Sequence, residues 1–211
     1  MRIAVTQRVE VVPSYGERRD CLDQQWAVFL EGLGITAVPV PNGLAQPAVW
    51  LETLGIEGLL LTGGNDLSSL PKAGKPAPER DRTEASLLSA AKAKALPVIG
   101  VCRGMQMLNH WLGGELAPVT GHTAVRHALK LLPGAIDFID FGDVNSFHDW
   151  GIGPDGLADG LTARCLAPDG TVEACTHDTL PWVGIMWHPE RETPFSGPDQ
   201  QLFLRVFRDR L

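Results

Sequence analysis

Residues 97–112 read PVIGVCRGMQMLNHWL. Pro97–Val101 is a short apolar run of the kind that forms a fully buried strand, and Arg103–Leu112 takes up helical spacing directly after it. Cys102 stands at the junction, with Gly100 two residues before it and Gly104 two after. A strand that ends in G-x-C-x-G and turns straight into a helix is a nucleophile elbow with cysteine in place of serine. The glycines relieve crowding around a strained turn. The turn lifts the thiol over the carboxyl edge of the sheet, where open α/β sheets bind ligands. The helix start offers free N–H groups and a positive dipole end, both of which favour a thiolate. A buried cysteine can also serve as a small hydrophobe; the strand–helix setting argues against that role for Cys102.

Working outward, Arg2–Thr6 (RIAVT), Ile35–Val40 (ITAVPV) and Gly58–Leu61 (GLLL) read as further strands. Helices are expected at Arg18–Leu33, Gln46–Leu54 and Asp81–Ala95. The first places Leu22, Trp26, Phe29, Leu30 and Leu33 on one face and stops at Gly34. Apolar strands interspersed with helices indicate a parallel sheet covered on both sides. From Ala135 to Trp187 the signals are mostly strands: AIDFID (135–140), TARCLA (162–167), TVEACT (171–176) and WVGIMW (182–187), with Asp169-Gly170 as a hairpin turn. Asp199–Leu211 is an amphipathic helix with Leu202, Val206 and Phe207 on one side. No linker or repeat divides the chain. The expected fold is one α/β domain over residues 1–211, a three-layer α/β/α sandwich with a mostly parallel central sheet and an antiparallel extension.

The 211 residues are 44% hydrophobic and 20% charged, which excludes disorder, coiled coil and collagen. Net charge is −7, from 18 Lys and Arg against 25 Asp and Glu, with no basic stripe; nucleic acid is not an expected partner. No apolar stretch approaches the ~20 residues of a membrane helix, and MRIAVTQRVE lacks the apolar core of a signal peptide. Cys21, Cys102, Cys165 and Cys175 fit neither a zinc ribbon nor a disulfide framework, so a reducing cytoplasm is expected. Cys165 and Cys175 flank the Asp169-Gly170 turn and read as free core thiols. His122 and His127 belong to a span with three histidines, near the expected pocket rim. No acidic residue sits at ligand spacing there, and neither a metal nor another cofactor is expected.

A thiolate nucleophile needs a base, and the base an orienting group. His188 follows the apolar run WVGIMW, and His188-Pro189-Glu190 places a carboxylate two residues on, across a rigid proline. That carboxylate could fix the ring's tautomer and stabilise its cation. Taken alone, H-P-E also fits a surface turn. In LLLTGGND (59–66) a strand ends in Gly63-Gly64, whose amides could join that of Arg103 in an oxyanion hole. The same glycines also fit a tight turn that binds nothing.

LTGGND, PVIGVCRGMQ and GIMWHPE, in this order and at these separations, resemble the class I glutamine amidotransferase-like superfamily. Within it they are most similar to the γ-glutamyl-γ-aminobutyrate hydrolase branch, peptidase C26. The resemblance runs along nearly the whole chain and implies a flavodoxin-like sandwich. It also implies roles: Cys102 nucleophile, His188 base, Glu190 its partner, and Gly64 and Arg103 as oxyanion-hole amides. Gly63 and Gln106 would meet the glutamyl group. Val144–Trp150 (VNSFHDW), with Asn145, Ser146, Phe147 and His148, matches a stretch whose backbone holds the α-amino and α-carboxylate ends. Arg103 after the nucleophile favours the hydrolase branch over glutaminase subunits. Tyr15–Trp26 (YGERRDCLDQQW) resembles a subgroup, found with capsule and surface-sugar genes, that includes hydrolases of γ-glutamyl-CDP-amidate. Arg18 and Arg19 would there meet a substrate phosphate or carboxylate, although each arginine alone also reads as a solvated helix start.

The activity implied is cysteine-dependent cleavage of a small γ-glutamyl amide through a glutamyl-thioester, without a cofactor. A homodimer is compatible with this. A second reading is a glutaminase that passes ammonia to a partner synthase, although no synthase domain follows within the 211 residues. A third is a catalytically silent binding domain, since fold does not fix function; the intact set of Cys102, His188 and Glu190 argues against it.

Overall fold

The apolar runs on either side of the elbow are neighbouring strands. A computed structural model describes residues 1–209 of the chain. The N-terminal half forms β1 (Arg2–Thr6), β2 (Arg8–Val11), β3 (Arg18–Cys21), α1 (Gln24–Gly32), β4 (Thr36–Val40), α2 (Pro47–Thr53), β5 (Gly58–Leu61), α3 (Pro78–Lys94), β6 (Val98–Val101) and α4 (Arg103–Trp111). The second half adds β7 (Ala117–Pro118), β8 (Thr123–Ala128), β9 (Lys130–Leu131), β10 (Asp143–Phe147), β11 (Trp150–Gly151), β12 (Leu161–Leu166), β13 (Val172–His177), β14 (Trp182–Ile185) and α5 (Gly197–Leu204).

One eight-stranded sheet runs β4-β1-β5-β6-β14-β13-β12-β9. Its first five strands are parallel, with Ala4 opposite Leu59, Leu60 opposite Ile99 and Gly184 opposite Gly100. From β13 onward the pairing is antiparallel. Alternate residues of each parallel strand feed opposite faces, as the period-2 backbone requires. Ile3, Leu60 and Ile99 pack with Trp26 and Phe29 of α1 and Phe203 of α5. Ala4, Leu59, Leu61 and Val98 pack instead with Leu51 of α2, Leu87 and Leu88 of α3, and Leu108 of α4. The parallel α/β/α sandwich and its antiparallel extension are therefore present as expected. Among the described residues no helix is long and apolar enough to cross a membrane.

Several elements differ from those expected of the sequence. Arg18–Leu33 is not one helix. Arg18–Cys21 pairs with β2, setting Arg19 opposite Glu10, and the helix starts only after Asp23, whose carboxylate accepts the Gln25 N–H at 2.9 Å. An Asp at the N-cap is a strong start signal; the polar residues before it bury little and pair as an exposed hairpin. AIDFID is not a strand either. Ile136–Phe138 is a single 3-10 turn that buries Phe138 and leaves Ile136 and Ile139 exposed. The helix expected from Asp81 begins earlier, at Pro78, a residue suited to the first helical position.

At the C-terminal end the α-helix stops at Leu204 and continues as a wider turn over Arg205–Asp209. Leu202, Val206 and Phe207 are buried as expected; residues 210–211 of the expected helix lie outside the described residues. The Asp169-Gly170 turn does join two paired strands. Cys165 and Cys175 are free and buried, but each faces an alanine across the ladder rather than the other cysteine.

Candidate active site

Cys102 is the residue between β6 and α4, and its backbone is left-handed, at φ 52° and ψ −108°. For a non-glycine residue such a conformation costs about 1–3 kcal/mol and persists only where neighbours enforce it. Here the Cys102 N–H donates to the Ile185 carbonyl at 2.8 Å, and the Cys102 carbonyl accepts from the Gln106 N–H at 3.1 Å. Gly104 is required by close approach, because a Cβ there would overlap the Leu61 carbonyl.

His188 follows β14, the strand beside β6, so it reaches the same sheet edge as Cys102. The turn Pro189–Arg191 folds Glu190 back, and His188 Nδ1 lies 2.7 Å from Glu190 Oε1. Both side chains are buried, at 2% and 3% exposure. Nδ1 donates to the carboxylate, which leaves Nε2 to exchange protons. Nε2 is buried without a full hydrogen bond, and the charge it couples to is the Cys102 sulfur.

The two groups polarise each other. Burial alone would raise the thiol pKa, but the His188 cation beside it holds Cys102 below the ordinary thiol value. Burial alone would lower His188, but the Cys102 thiolate and the Glu190 carboxylate raise it to about 9. Each group thus favours the charged form of the other. Asn145 clamps the histidine backbone, accepting from the His188 N–H at 2.9 Å and donating to its carbonyl at 2.8 Å.

The Gly63-Gly64 turn approaches from β5. A Cβ on Gly63 would lie 2.7 Å from the His188 ring. The carbonyls of the turn are held by Arg80, which donates to Thr62 O at 2.6 Å, Gly63 O at 3.0 Å and Gly64 O at 2.5 Å. Arg80 also pairs with Glu84 at 2.8 Å, and Glu84 and Asp81 bind the buried guanidinium of Arg103. Arg80, Asp81 and Glu84 went unread as site residues. The i, i+4 spacing of Arg80 and Glu84 was a visible signal, but placing the helix start at Asp81 hid it.

A cavity of about 470 Å³ opens over Cys102, lined in part by Gly64, Arg103, Gln106, Phe147, His148 and Trp150, with Lys72 and Lys75 on another wall. A smaller one of about 120 Å³ lies against Gly63, Gly64, His188 and Glu190 and includes Arg8 and Cys21. The structure thus brings together Cys102, His188, Glu190, Gly63, Gly64, Arg103, Gln106, Phe147 and His148. The side chains of Asn145 and Ser146 are engaged internally, Asn145 on His188 and Ser146 as a donor to the His122 carbonyl at 2.8 Å. Arg19 lies on the exposed hairpin, paired with Glu17 at 3.0 Å, and lines neither cavity. Arg18 pairs with Glu79. Of the hairpin's arginines it is Arg8 that reaches a cavity wall.

Beside the larger cavity, folding supplies the acidic partner that local spacing denied to the histidines. Glu173 of β13 sits among His122, His127 and His148.

The chain is similar to known hydrolases over most of its length. The family model described as Peptidase C26 matches residues 3–190. The γ-glutamyl-CDP-amidate hydrolase of Campylobacter jejuni is 33% identical over 198 residues, covering 93% of this chain and 94% of that protein. The γ-glutamyl-γ-aminobutyrate hydrolase of Escherichia coli O157:H7 is 26% identical, over 83% of this chain and 80% of its own. Among solved structures, a glutamine amidotransferase from Thermotoga maritima superimposes with a TM-score of 0.69 at 15% identity, covering 98% of this chain and 98% of that one, a likeness of fold.

Proposed function

The chain belongs to the peptidase C26 family of hydrolases, and on that premise we propose that it cleaves a γ-glutamyl amide to glutamate and a free amine through a glutamyl-thioester on Cys102. The observation that carries this reading is the buried pairing of His188 with Glu190 beside a cysteine held in a left-handed elbow. The thiolate attacks the γ-carbonyl carbon, and the carbonyl oxygen takes the charge between the amides of Gly64 and Arg103. The C–N bond breaks as the His188 imidazolium gives its proton to the departing nitrogen. Water then gives a proton back to His188 and attacks the thioester, releasing glutamate and restoring the thiolate.

Gln106 and the backbone around Asn145–His148 receive the glutamyl end in this reading. The leaving group is a phosphorylated amidate of the γ-glutamyl-CDP-amidate kind. The Campylobacter relative's near full-length match supports that choice, as do Lys72 and Lys75 on the cavity wall. Steady-state assays of released glutamate across a panel should give the highest kcat/KM on γ-glutamyl-CDP-amidate, with γ-glutamyl-γ-aminobutyrate behind it. Turnover confined to glutamine and dependent on an added synthase would replace this reading with that of a glutaminase subunit.

A further inference from the structure

His122 and His127 stand at the two ends of the β8 side of a two-stranded ribbon, His148 just beyond its β10 side, and Glu173 on β13 of the central sheet. Glu173 is fully buried, and neither carboxylate oxygen has a hydrogen-bond partner among the described residues. Its Oε1 lies 3.6 Å from His122 Nδ1, 3.6 Å from His127 Nε2 and 3.6 Å from His148 Nε2. That is too long for a hydrogen bond. It is close to the ~3.3 Å edge of a tetrahedron of donors set 2.0–2.1 Å from one zinc ion.

The outer contacts of two rings fix where their protons are. His148 Nδ1 meets the Trp150 carbonyl at 3.0 Å, an acceptor only, so Nδ1 carries a hydrogen and Nε2 is the ring atom that faces Glu173. His122 Nε2 meets the Asp169 carboxylate at 2.9 Å, so its lone pair is on Nδ1, again facing Glu173. A backbone carbonyl on one histidine and a carboxylate on another are the outer contacts that metal-bound imidazoles make. The result is a buried carboxylate faced by two imidazole nitrogens; the one hydroxyl beside them, Ser146 Oγ, lies 3.5 Å from His122 Nδ1 and gives its hydrogen to the His122 carbonyl at 2.8 Å. Such an arrangement is costly unless a cation joins it.

We infer that His122, His148 and Glu173 bind a divalent transition-metal ion of the zinc class; His127, whose ring nitrogens are both unpartnered and whose Nε2 is 3.6 Å from Glu173, lies outside that trio and would complete the site only by a shift of its ring. Imidazole donors select such an ion over magnesium or calcium, which prefer oxygen. The ion fastens the β8–β10 ribbon to the central sheet. The same ribbon carries Asn145, which clamps His188, and His148 lines the cavity over Cys102. The role is positional, and no step of the hydrolysis passes through the ion.

The test uses the Cys102→Ser protein, which lacks the thiolate that would compete for the probe. Protein stripped with a chelator is titrated with Zn²⁺ by calorimetry, and its melting temperature is followed in parallel. We expect about one equivalent bound, a rise in melting temperature that Mg²⁺ does not reproduce, and visible absorption typical of tetrahedral coordination when Co²⁺ replaces Zn²⁺. Glu173→Gln should lose the binding, and Asp169→Asn, altered only in the outer contact, should weaken it about 10- to 100-fold. Should Glu173→Gln fail to fold, the half-exposed Asp169→Asn and the stoichiometry of the parent decide the matter. A parent that binds no zinc overturns the inference, as do folded Glu173→Gln and Asp169→Asn proteins that bind it as tightly as the parent.

Discussion

At Cys102 the backbone strain, the thiol and the neighbouring imidazole meet in one residue, and each can be tested. Cys102→Ala removes a small side chain at a strand end, so circular dichroism and melting should be little changed while turnover falls by more than about 10³-fold; retention of a tenth of the rate, only ~1.4 kcal/mol of barrier, would refute the nucleophile. His188→Ala should cost nearly as much, and Glu190→Gln less, because the first removes the proton carrier and the second only its orienting partner. Equal losses would overturn that division. The pH dependence follows from the coupled pair. Cys102 lies below the ordinary thiol value, so at neutral pH iodoacetamide should alkylate it faster than it alkylates a free cysteine thiol. His188 titrates at about 9, and the amine leaves with its proton, so kcat/KM should fall as pH rises through about 9. Glu190→Gln removes a charge that raises His188 and should bring that alkaline limb down. Cys102, His188 and Glu190 were legible in the sequence because each lies next to a strand end that the apolar pattern reveals. Asn145 was legible as part of a motif, but its hold on the His188 backbone spans 43 residues and emerges only in the fold.

Among the elements, those buried in the sheet were the easiest to read, since each strand there is an unbroken apolar run. The β2–β3 hairpin was missed because its residues face solvent and each other, so RRDC carries no core signal. Ile136–Phe138 was misread because its apolar residues alternate like a strand although no neighbouring strand offers an edge. The start of α3 matters most to the chemistry, since it sets Arg80 against the carbonyls of the Gly63-Gly64 turn. Arg80→Lys keeps the charge but loses the planar fork that serves three carbonyls and a carboxylate. It should lower kcat by about 10- to 100-fold through a displaced turn, with KM changed less; an unchanged kcat would detach Arg80 from the oxyanion loop. Helix α5 offers a stability test. Burial raises Asp199 to about 6, against the opposing hydrogen bonds of Trp187 and Ser196. The folded state therefore holds this proton more tightly than the unfolded chain. Its contribution is complete below about pH 4 and is lost as pH rises through about 6. Asp199→Asn, which still accepts from Trp187, should flatten that loss in urea titrations and gain about 1–2 kcal/mol at pH 7.

Across the whole molecule, the order β4-β1-β5-β6-β14-β13-β12-β9 joins a parallel half to an antiparallel extension. Cys102 follows β6 and His188 follows β14, the parallel neighbour that enters the sheet last in chain order, so the site forms only when those two strands pair. Hydrogen exchange should reflect this: amides of β5, β6 and β14 should exchange only on global opening, and those of the β2–β3 hairpin long before. Equal protection of the hairpin would show that it is part of the cooperative core. The parallel half was legible in sequence, and so was the change of character after α4. The cluster around Glu173 was not, because its members come from strands that only tertiary structure sets side by side. The sheet order also bears on how the protein is made. β6 is complete at Val101, but the strand that covers its edge begins at Trp182, 81 residues later. At the usual pace of synthesis, about 5–20 residues per second, that edge waits roughly 4–16 seconds on the ribosome. Through that interval a fully apolar strand, VIGV, presents open backbone groups to whatever is nearby.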